Sequence, residues 1–320
     1  MNTFFEKVVN KLTSQKISEG LTDIKMVSNW MNVGEEYYDH LQTKIPFPGT
    51  EKIICHTYWY GSFGRKQAFS VKSFLATQNL DKVELWLWLD EESGYDNYET
   101  NPYIKEILPL IKVKHYNPHK DLVGSRFEKY SWIFVQEKRL ANRADGLRLW
   151  ALTKFGGFYF DLDVMFCRDM TDLFYGPEFV YAWEFQPYAN SAIMYLRKGS
   201  YLSDYIQKKV IRKLTTLPWV IFHYKDKNMK SMCVYPATYF DPLWCTDVNS
   251  EEIDFPITEF LQFFEEFGKT HLKKIHSYRD WFKGIYAYHW HNCWKAAEVE
   301  NSYFGIFEKE YNEIVKRLLG

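Results

Sequence analysis

From residue 52 onward the apolar positions switch repeatedly between unbroken runs and a spacing of three and four. "KIICHTYWYG" (52–61) is a β-branched and aromatic run ending at a glycine, which predicts a strand entering a loop. "RKQAFSVKSFLATQ" (65–78) spaces Ala68, Val71, Phe74 and Leu75 as one face of a helix. "KVELWLWLD" (82–90) predicts a nearly all-apolar strand ending in an acid, and "YIKEILPLIKVKHYNP" (103–118) a short helix followed by a strand. This alternation implies parallel strands joined by crossover helices, an α/β fold. The clearest helix is "EKRLANRADGLRLWALTKF" (137–155), with Leu140, Ala144, Leu147, Ala151 and Phe155 on one face, and Gly156-Gly157 offers its left-handed cap. Strands are expected at 179–185 and 191–199 and a helix over roughly 200–217. Ahead of all this, residues 1–48 carry Phe4, Val8 and Leu12 at helical spacing. "KIPFPGT" (44–50) then breaks the chain, so a helical extension over 1–48 and a main domain over 49–320 are expected.

Composition narrows the function classes. A net charge of −1 argues against a general nucleic-acid binder. Five scattered cysteines without a C-x-x-C pair fit free thiols better than a disulfide frame or a zinc cluster. No apolar stretch approaches the ~20 residues of a membrane span, and the first residues show no secretory leader, so a cytoplasmic protein is the expectation. Aromatic residues reach 19%, a supply of flat faces that suits a core or stacking on bases and sugars.

The chemistry concentrates in "GGFYFDLDVMF" (156–166). If this is one regular strand, the even positions Phe158, Phe160, Leu162, Val164 and Phe166 form a core face. Asp161 and Asp163 then point together off the other face, ~6–7 Å apart. Two such carboxylates repel unless a positive charge joins them, and a hard divalent cation, Mg²⁺ or Mn²⁺, is the economical partner. The alternative is a pair of solvated acids in a turn. On the preceding helix Asp145 and Arg148 stand three apart, either as an ion pair or as a set of groups presented to a ligand's hydroxyls and phosphates.

The run "RADGLRLWALTKFGGFYFDLDV" resembles the glycosyltransferases with a sugar-binding region containing the DXD motif. Among them are yeast-type initiating mannosyltransferases, α-1,4-glycosyltransferases, capsule glycosyltransferases and the glucosylating domain of large clostridial toxins. Asp145, Arg148, Gly156, Gly157, Tyr159, Asp161 and Asp163 carry the resemblance. Upstream, "ICHTYWYGS" is similar to the family's first strand, where Trp59, or in its place Tyr58 or Tyr60, would stack on a nucleotide base. "NSAIMYLRKGS" is similar to the family's segment after the acid pair, where Asn190 would lie near the sugar and acceptor. "YAYHWHNCW" is similar to the C-terminal segment that returns a histidine to the metal and a tryptophan, Trp294, to the diphosphate. Cys293 stands where serine is usual and the spacing is one residue short, which leaves His289 and His291 both open as the metal ligand.

The resemblance implies a GT-A fold: a Rossmann-like, mostly parallel sheet flanked by helices. It also implies Mn²⁺- or Mg²⁺-dependent transfer, with retention of configuration, from a nucleoside diphosphate sugar (UDP or GDP) to a glycan or other hydroxyl acceptor. The metal would be held through Asp163 with Asp161 beside it. Arg148 and Asp145 would grip the donor sugar, and Asn190, Gln186 or Glu184 would line the reacting face. Two other readings compete. A haloacid-dehalogenase-like phosphatase would use Asp161 as nucleophile and Asp163 as acid. A non-catalytic sugar-binding protein would keep the fold alone.

Overall fold

The computed structural model describes residues 51–93, 98–135, 140–183, 186–229, 231–245, 255–268, 270–282 and 285–320. The expected helical extension over 1–48 and Glu184 lie outside these residues. Seven strands form one sheet in the order β3-β2-β1-β4-β7-β6-β8. They are β1 (Ile53–Trp59), β2 (Val83–Asp90), β3 (Lys112–Tyr116), β4 (Gly157–Phe160), β6 (Phe179–Ala182), β7 (Ala189–Leu196) and β8 (Cys233–Tyr235). β1 pairs in parallel with β2 and β4, and β2 with β3. β7 is antiparallel to both its neighbours, β4 and β6, while β8 runs parallel to β6. This is the mostly parallel α/β sheet that the GT-A resemblance implies.

The helices that matter to the site are α1 (Arg65–Thr77), α2 (Leu140–Phe155), α3 (Tyr201–Lys213) and α4 (Tyr303–Leu319). Because they cover the sheet, central strands are buried on both faces and lose the in–out alternation of a half-exposed strand. Tyr159, which strand alternation sets on the face opposite Phe158 and Phe160, is as fully buried as they are. Rings fill the space between sheet and helices: Phe74 of α1 stacks on Phe160 at 5.0 Å, and Phe166 meets the edge of both. Each buried ring of this kind contributes about 2–3 kcal/mol of apolar transfer. Cys55, Cys167, Cys233 and Cys293 are free thiols, and no helix among the described residues is long and apolar enough to cross a membrane.

One expectation from the sequence needs correction. Residues 157–166 are not a single strand. β4 stops at Phe160, the chain turns through Asp161–Asp163, and β5 (Val164–Phe166) leaves the main sheet to pair antiparallel with β9 (Ala287–His289). Polar side chains complete β5's backbone bonding: the Ser70 hydroxyl donates to the Val164 carbonyl (2.6 Å), Ser73 accepts from the Phe166 N–H (3.0 Å), and Tyr311 donates to the Phe166 carbonyl (2.6 Å). With those groups satisfied the break carries no unpaired-backbone penalty.

The turn into β4 tolerates only glycine. Gly156 (φ +74°) closes α2 by donating to the Leu152 carbonyl at 2.9 Å. At Gly157 (φ +101°) an added Cβ would lie 2.0 Å from the Ile54 carbonyl oxygen of β1. His56, fully buried in β1, fixes the same corner: Trp88 donates to its Nδ1 at 3.1 Å, so Nε2 carries the proton and donates to the Gly156 carbonyl at 3.0 Å. Burial holds this ring neutral, with its pKa lowered to about 4.

Candidate active site

The acid turn lies at the carboxyl end of β4, the position where ligands bind in open α/β sheets. α2 reaches it with Arg148, whose Nη2 lies 2.7 and 2.9 Å from the two oxygens of Asp161, a two-pronged grip. Its Nη1 pairs with Asp145 at 3.0 Å and donates to the hydroxyl of Ser191 on β7. The guanidinium also lies over the Tyr159 ring at 4.7 Å, and Tyr159 donates its hydroxyl to Asp161 (2.8 Å). The Asp145–Arg148 pair is therefore real but forms part of a larger network that immobilises Asp161.

Asp163 is held by segments far away in sequence. Its Oδ1 faces His289 Nε2 at 3.2 Å and its Oδ2 accepts the Asn292 N–H at 2.8 Å. The other side of His289 meets the Tyr181 hydroxyl (2.9 Å) and Asp241 (3.4 Å), both at Nδ1. His291 turns its Nε2 to the second oxygen of Asp241, at 2.7 Å, and lies between the rings of His289 and Trp244. Only Asp161 keeps a quarter of its side chain accessible; Asp163 shows 6% and Asp241 none.

The two acids of the motif carry different charge environments. Burial raises the Asp161 carboxyl above its ordinary value against the pull of Arg148, and the charge of Asp163 raises it further. Burial also works against Asp163, but His289 and the Asn292 N–H outweigh it and bring that carboxyl down to about 2. Burial disfavours the charged form of His289, yet Asp163 and Asp241 on its two sides raise it well above the usual histidine range.

This donor set fits a divalent cation. Asp145 and Asp161 share the Arg148 guanidinium, while Asp163 and Asp241 flank His289, so four carboxylates converge on the two sides of the acid turn. The Oδ2 atom of Asp241 is buried, with His289 Nδ1 no closer than 3.4 Å. The 3.2 Å between Asp163 Oδ1 and His289 Nε2 matches the roughly 3 Å edge between neighbouring ligands of an ion bound at ~2.1 Å. Asp241, His289 and His291 also cluster closely enough to hold an ion, a set that the sequence did not single out.

Of the other expected residues, Asn190 lies beside the turn and the rest have partners of their own. Asn190 starts β7 beside Ser191, buried, with its side-chain oxygen accepting the Ala192 N–H (2.8 Å), while the Ala192 carbonyl accepts from the Asp161 N–H (2.8 Å). Gln186 is partly exposed just before β7. Trp59, at the end of β1, packs against Trp294 with ring centroids 4.8 Å apart, joining the first strand to the C-terminal segment. Tyr58 points the opposite way, buried, and donates its hydroxyl to Asp90; it offers no face for stacking. Tyr60 lies under the Arg143 guanidinium at 4.8 Å.

Several positioning groups had no signal in the sequence. Lys66, near the start of α1 and almost fully buried, donates to the carbonyls of Cys293 (2.7 Å), Trp294 (3.0 Å) and Ala296 (2.7 Å), so its ammonium pins the C-terminal loop. Asp241 sits in an aromatic run, "YFDPLW", whose partners are 48 or more residues away. Asp90, by contrast, was visible as the acid closing the β2 run.

The family model described as glycosyltransferase sugar-binding region containing DXD motif matches residues 72–180, a span holding Asp145, Arg148, Asp161 and Asp163. No curated protein matches the sequence. Among solved structures, the PaToxG glycosyltransferase superposes at 17% identity over 60% of this chain and 75% of its own, with a TM-score of 0.41. The glycosyltransferase GlyE of Streptococcus pneumoniae TIGR4 does so at 14% identity over 84% of this chain and 63% of its own (TM-score 0.43). The galactosyltransferase LgtC, in complex with donor and acceptor sugar analogues, gives 11% identity over 83% and 96% (TM-score 0.41). Residues 72–180 thus match the glycosyltransferase sugar-binding region containing the DXD motif.

Proposed function

We propose that the chain transfers a sugar from a nucleoside diphosphate sugar, UDP- or GDP-linked, to a hydroxyl of a glycan or other acceptor, with retention of configuration. The observation that carries this reading is the turn Asp161–Asp163, in which one acid is fixed by Arg148 and the other faces His289 at 3.2 Å. Asp163 and His289 would hold Mn²⁺ or Mg²⁺, with Asp161 at its open side. Such an ion supplies charge neutralisation to a leaving diphosphate.

The protein's own groups do the rest. Trp59 and Trp294 offer ring faces for the base and the diphosphate side of the donor. Arg148 and Asp145 act on the donor sugar chiefly by fixing Asp161, since the guanidinium is already engaged by Asp145, Asp161 and Ser191. Asn190 and Gln186 line the face where the acceptor hydroxyl approaches. The two-pronged grip on Asp161 also speaks against that carboxylate as a phosphatase nucleophile, because both its oxygens are occupied.

The test is a panel of UDP- and GDP-sugars with Mn²⁺, read by ligand NMR for binding and by donor hydrolysis for chemistry. Binding and slow hydrolysis of one donor, abolished by EDTA, are expected. Binding without hydrolysis or transfer over a broad acceptor panel would instead mark a sugar-binding protein on this fold. Phosphate release from aryl phosphates with no response to any sugar nucleotide would end the glycosyltransferase proposal.

A further inference from the structure

We infer that Asp241 and Tyr181 are positioning residues that turn His289 so that its Nε2 faces Asp163 as a metal ligand. The inference rests on the metal-dependent reading above and assigns the orientation of its histidine.

His289 has two ring nitrogens in different company. Nε2 faces Asp163 at 3.2 Å, on the side of the acid turn. Nδ1 faces the Tyr181 hydroxyl at 2.9 Å and Asp241 at 3.4 Å, on the side of β6 and the buried interior. A carboxylate accepts only, so Asp241 keeps a proton on Nδ1, and an ion that displaces the Nε2 proton facing Asp163 would find the lone pair of Nε2 aimed at it. Ligating histidines commonly use a carboxylate in this way on their second nitrogen, and losing that partner typically weakens metal binding 10–100-fold. The placement is specific. Asp241 is completely buried, its Oδ1 is taken by His291, and its Oδ2 faces His289 Nδ1 at 3.4 Å. The backbone closes the arrangement from above and below: the His289 N–H donates to the Phe240 carbonyl (3.0 Å), and the Trp290 N–H to the Asp163 carbonyl (3.0 Å). The ring, its ligand partner and its orienting carboxylate are therefore tied together through adjacent residues.

The test is Mn²⁺ titration followed by EPR, without donor, on the wild-type chain and on Asp163→Asn, Asp241→Asn and Tyr181→Phe, with thermal melts to confirm folding. Electron-spin-echo modulation from an imidazole nitrogen reads the His289–Mn²⁺ bond directly. Expected are one bound Mn²⁺ with imidazole modulation in the wild type and no binding in Asp163→Asn. Asp241→Asn should bind about 10–100-fold more weakly with diminished modulation, and Tyr181→Phe a few-fold more weakly. Wild-type affinity in Asp241→Asn overturns the inference. So does binding that survives Asp163→Asn but is lost in Asp241→Asn, which places the ion among Asp241, His289 and His291. Should Asp241→Asn fail to fold, Tyr181→Phe decides: wild-type affinity and modulation there overturn the inference. A wild-type chain that takes up no Mn²⁺ overturns it too, while donor binding, scored separately by ligand NMR, still decides the glycosyltransferase reading.

Discussion

The two acids of the DXD turn are separated by one residue in sequence, yet the protein holds them by opposite means. Asp161 is fixed from nearby: Arg148 lies 13 positions earlier, on the helix that feeds the strand, and Tyr159 is two positions away. Asp163 is fixed from a distance: Asn292 is 129 positions later, and His289 arrives on a strand of the small second sheet. Nearly local partners hold the first acid before any ligand arrives. The second depends on the C-terminal segment being in place, which makes it the acid whose partners are assembled last in the chain's topology. The contrast teaches that a short motif can join two independently built half-sites.

Removing the far-held acid is the strongest way to break the contrast. Asp163→Asn keeps the shape and takes away the charge that faces His289. Loss of donor turnover by about 10³-fold is expected, the scale of deleting one preorganised electrostatic group. Turnover within tenfold of wild type, measured in EDTA, would remove the metal role altogether. Breaking the near-held acid should act on stability instead. Arg148→Met leaves Asp145 and Asp161 as uncompensated acids in a nearly closed site, an event that costs about 3–5 kcal/mol in comparable buried pairs. Urea unfolding of this variant checks it, and a loss under 1 kcal/mol would mean the guanidinium is not the organiser of that half.

Legibility in the sequence followed the same division. The strands and helices of the parallel half were readable because long apolar runs and a helix capped by Gly156-Gly157 carry their own periodicity, and Asp145, Arg148, Asp161 and Asp163 lie within one such stretch. The break between β4 and β5 was not readable. Both halves of "FYFDLDVMF" have strand chemistry, and only pairing with β9, over 120 residues later, pulls β5 out of the main sheet. Asp241 and Lys66 were invisible for the same reason. A lone acid in an aromatic turn and a lysine at a helix start acquire meaning only from the groups the fold brings to them. Trp59 was the expected stacking ring with Tyr58 or Tyr60 as its substitutes, and strand alternation separates the first two, sending Tyr58 to Asp90 and Trp59 to Trp294.

The corner beneath the near half gives a pH-dependent test. His56 has a folded-state pKa of about 4, below the ordinary 6.5 of an unfolded chain. Between those values the unfolded state binds a proton that the folded state refuses. Stability from this group is therefore complete above about pH 6.5 and lost as pH falls toward 4. The loss approaches ~3 kcal/mol by pH 4, at 1.36 kcal/mol per unit. His56→Gln, whose amide can accept from Trp88 and donate to the Gly156 carbonyl, should flatten the stability profile between pH 6.5 and 4.5 by about 2 kcal/mol. Parallel profiles for the two proteins over that range would show that the ring takes a proton in place.

The smallest effect probes the seam where the two halves meet. Trp59 belongs to the first strand and Trp294 to the C-terminal loop pinned by Lys66, and their rings touch at 4.8 Å. If this pair receives the donor's base, Trp59→Ala should weaken donor binding by about 1–3 kcal/mol, the worth of one base–aromatic stack. Stacking acts equally on ground and transition states, so KM should rise while kcat stays within about twofold. Lys66→Met tests the same seam from the other side. It frees three carbonyls from one ammonium without touching either ring, and it should raise KM in the same direction by a smaller factor. An unchanged donor Kd in Trp59→Ala would take the ring pair out of the donor site. A fall in kcat with KM unchanged would move the pair from binding the base to shaping the reacting end, and the two half-sites would then be coupled through chemistry rather than through the ligand alone.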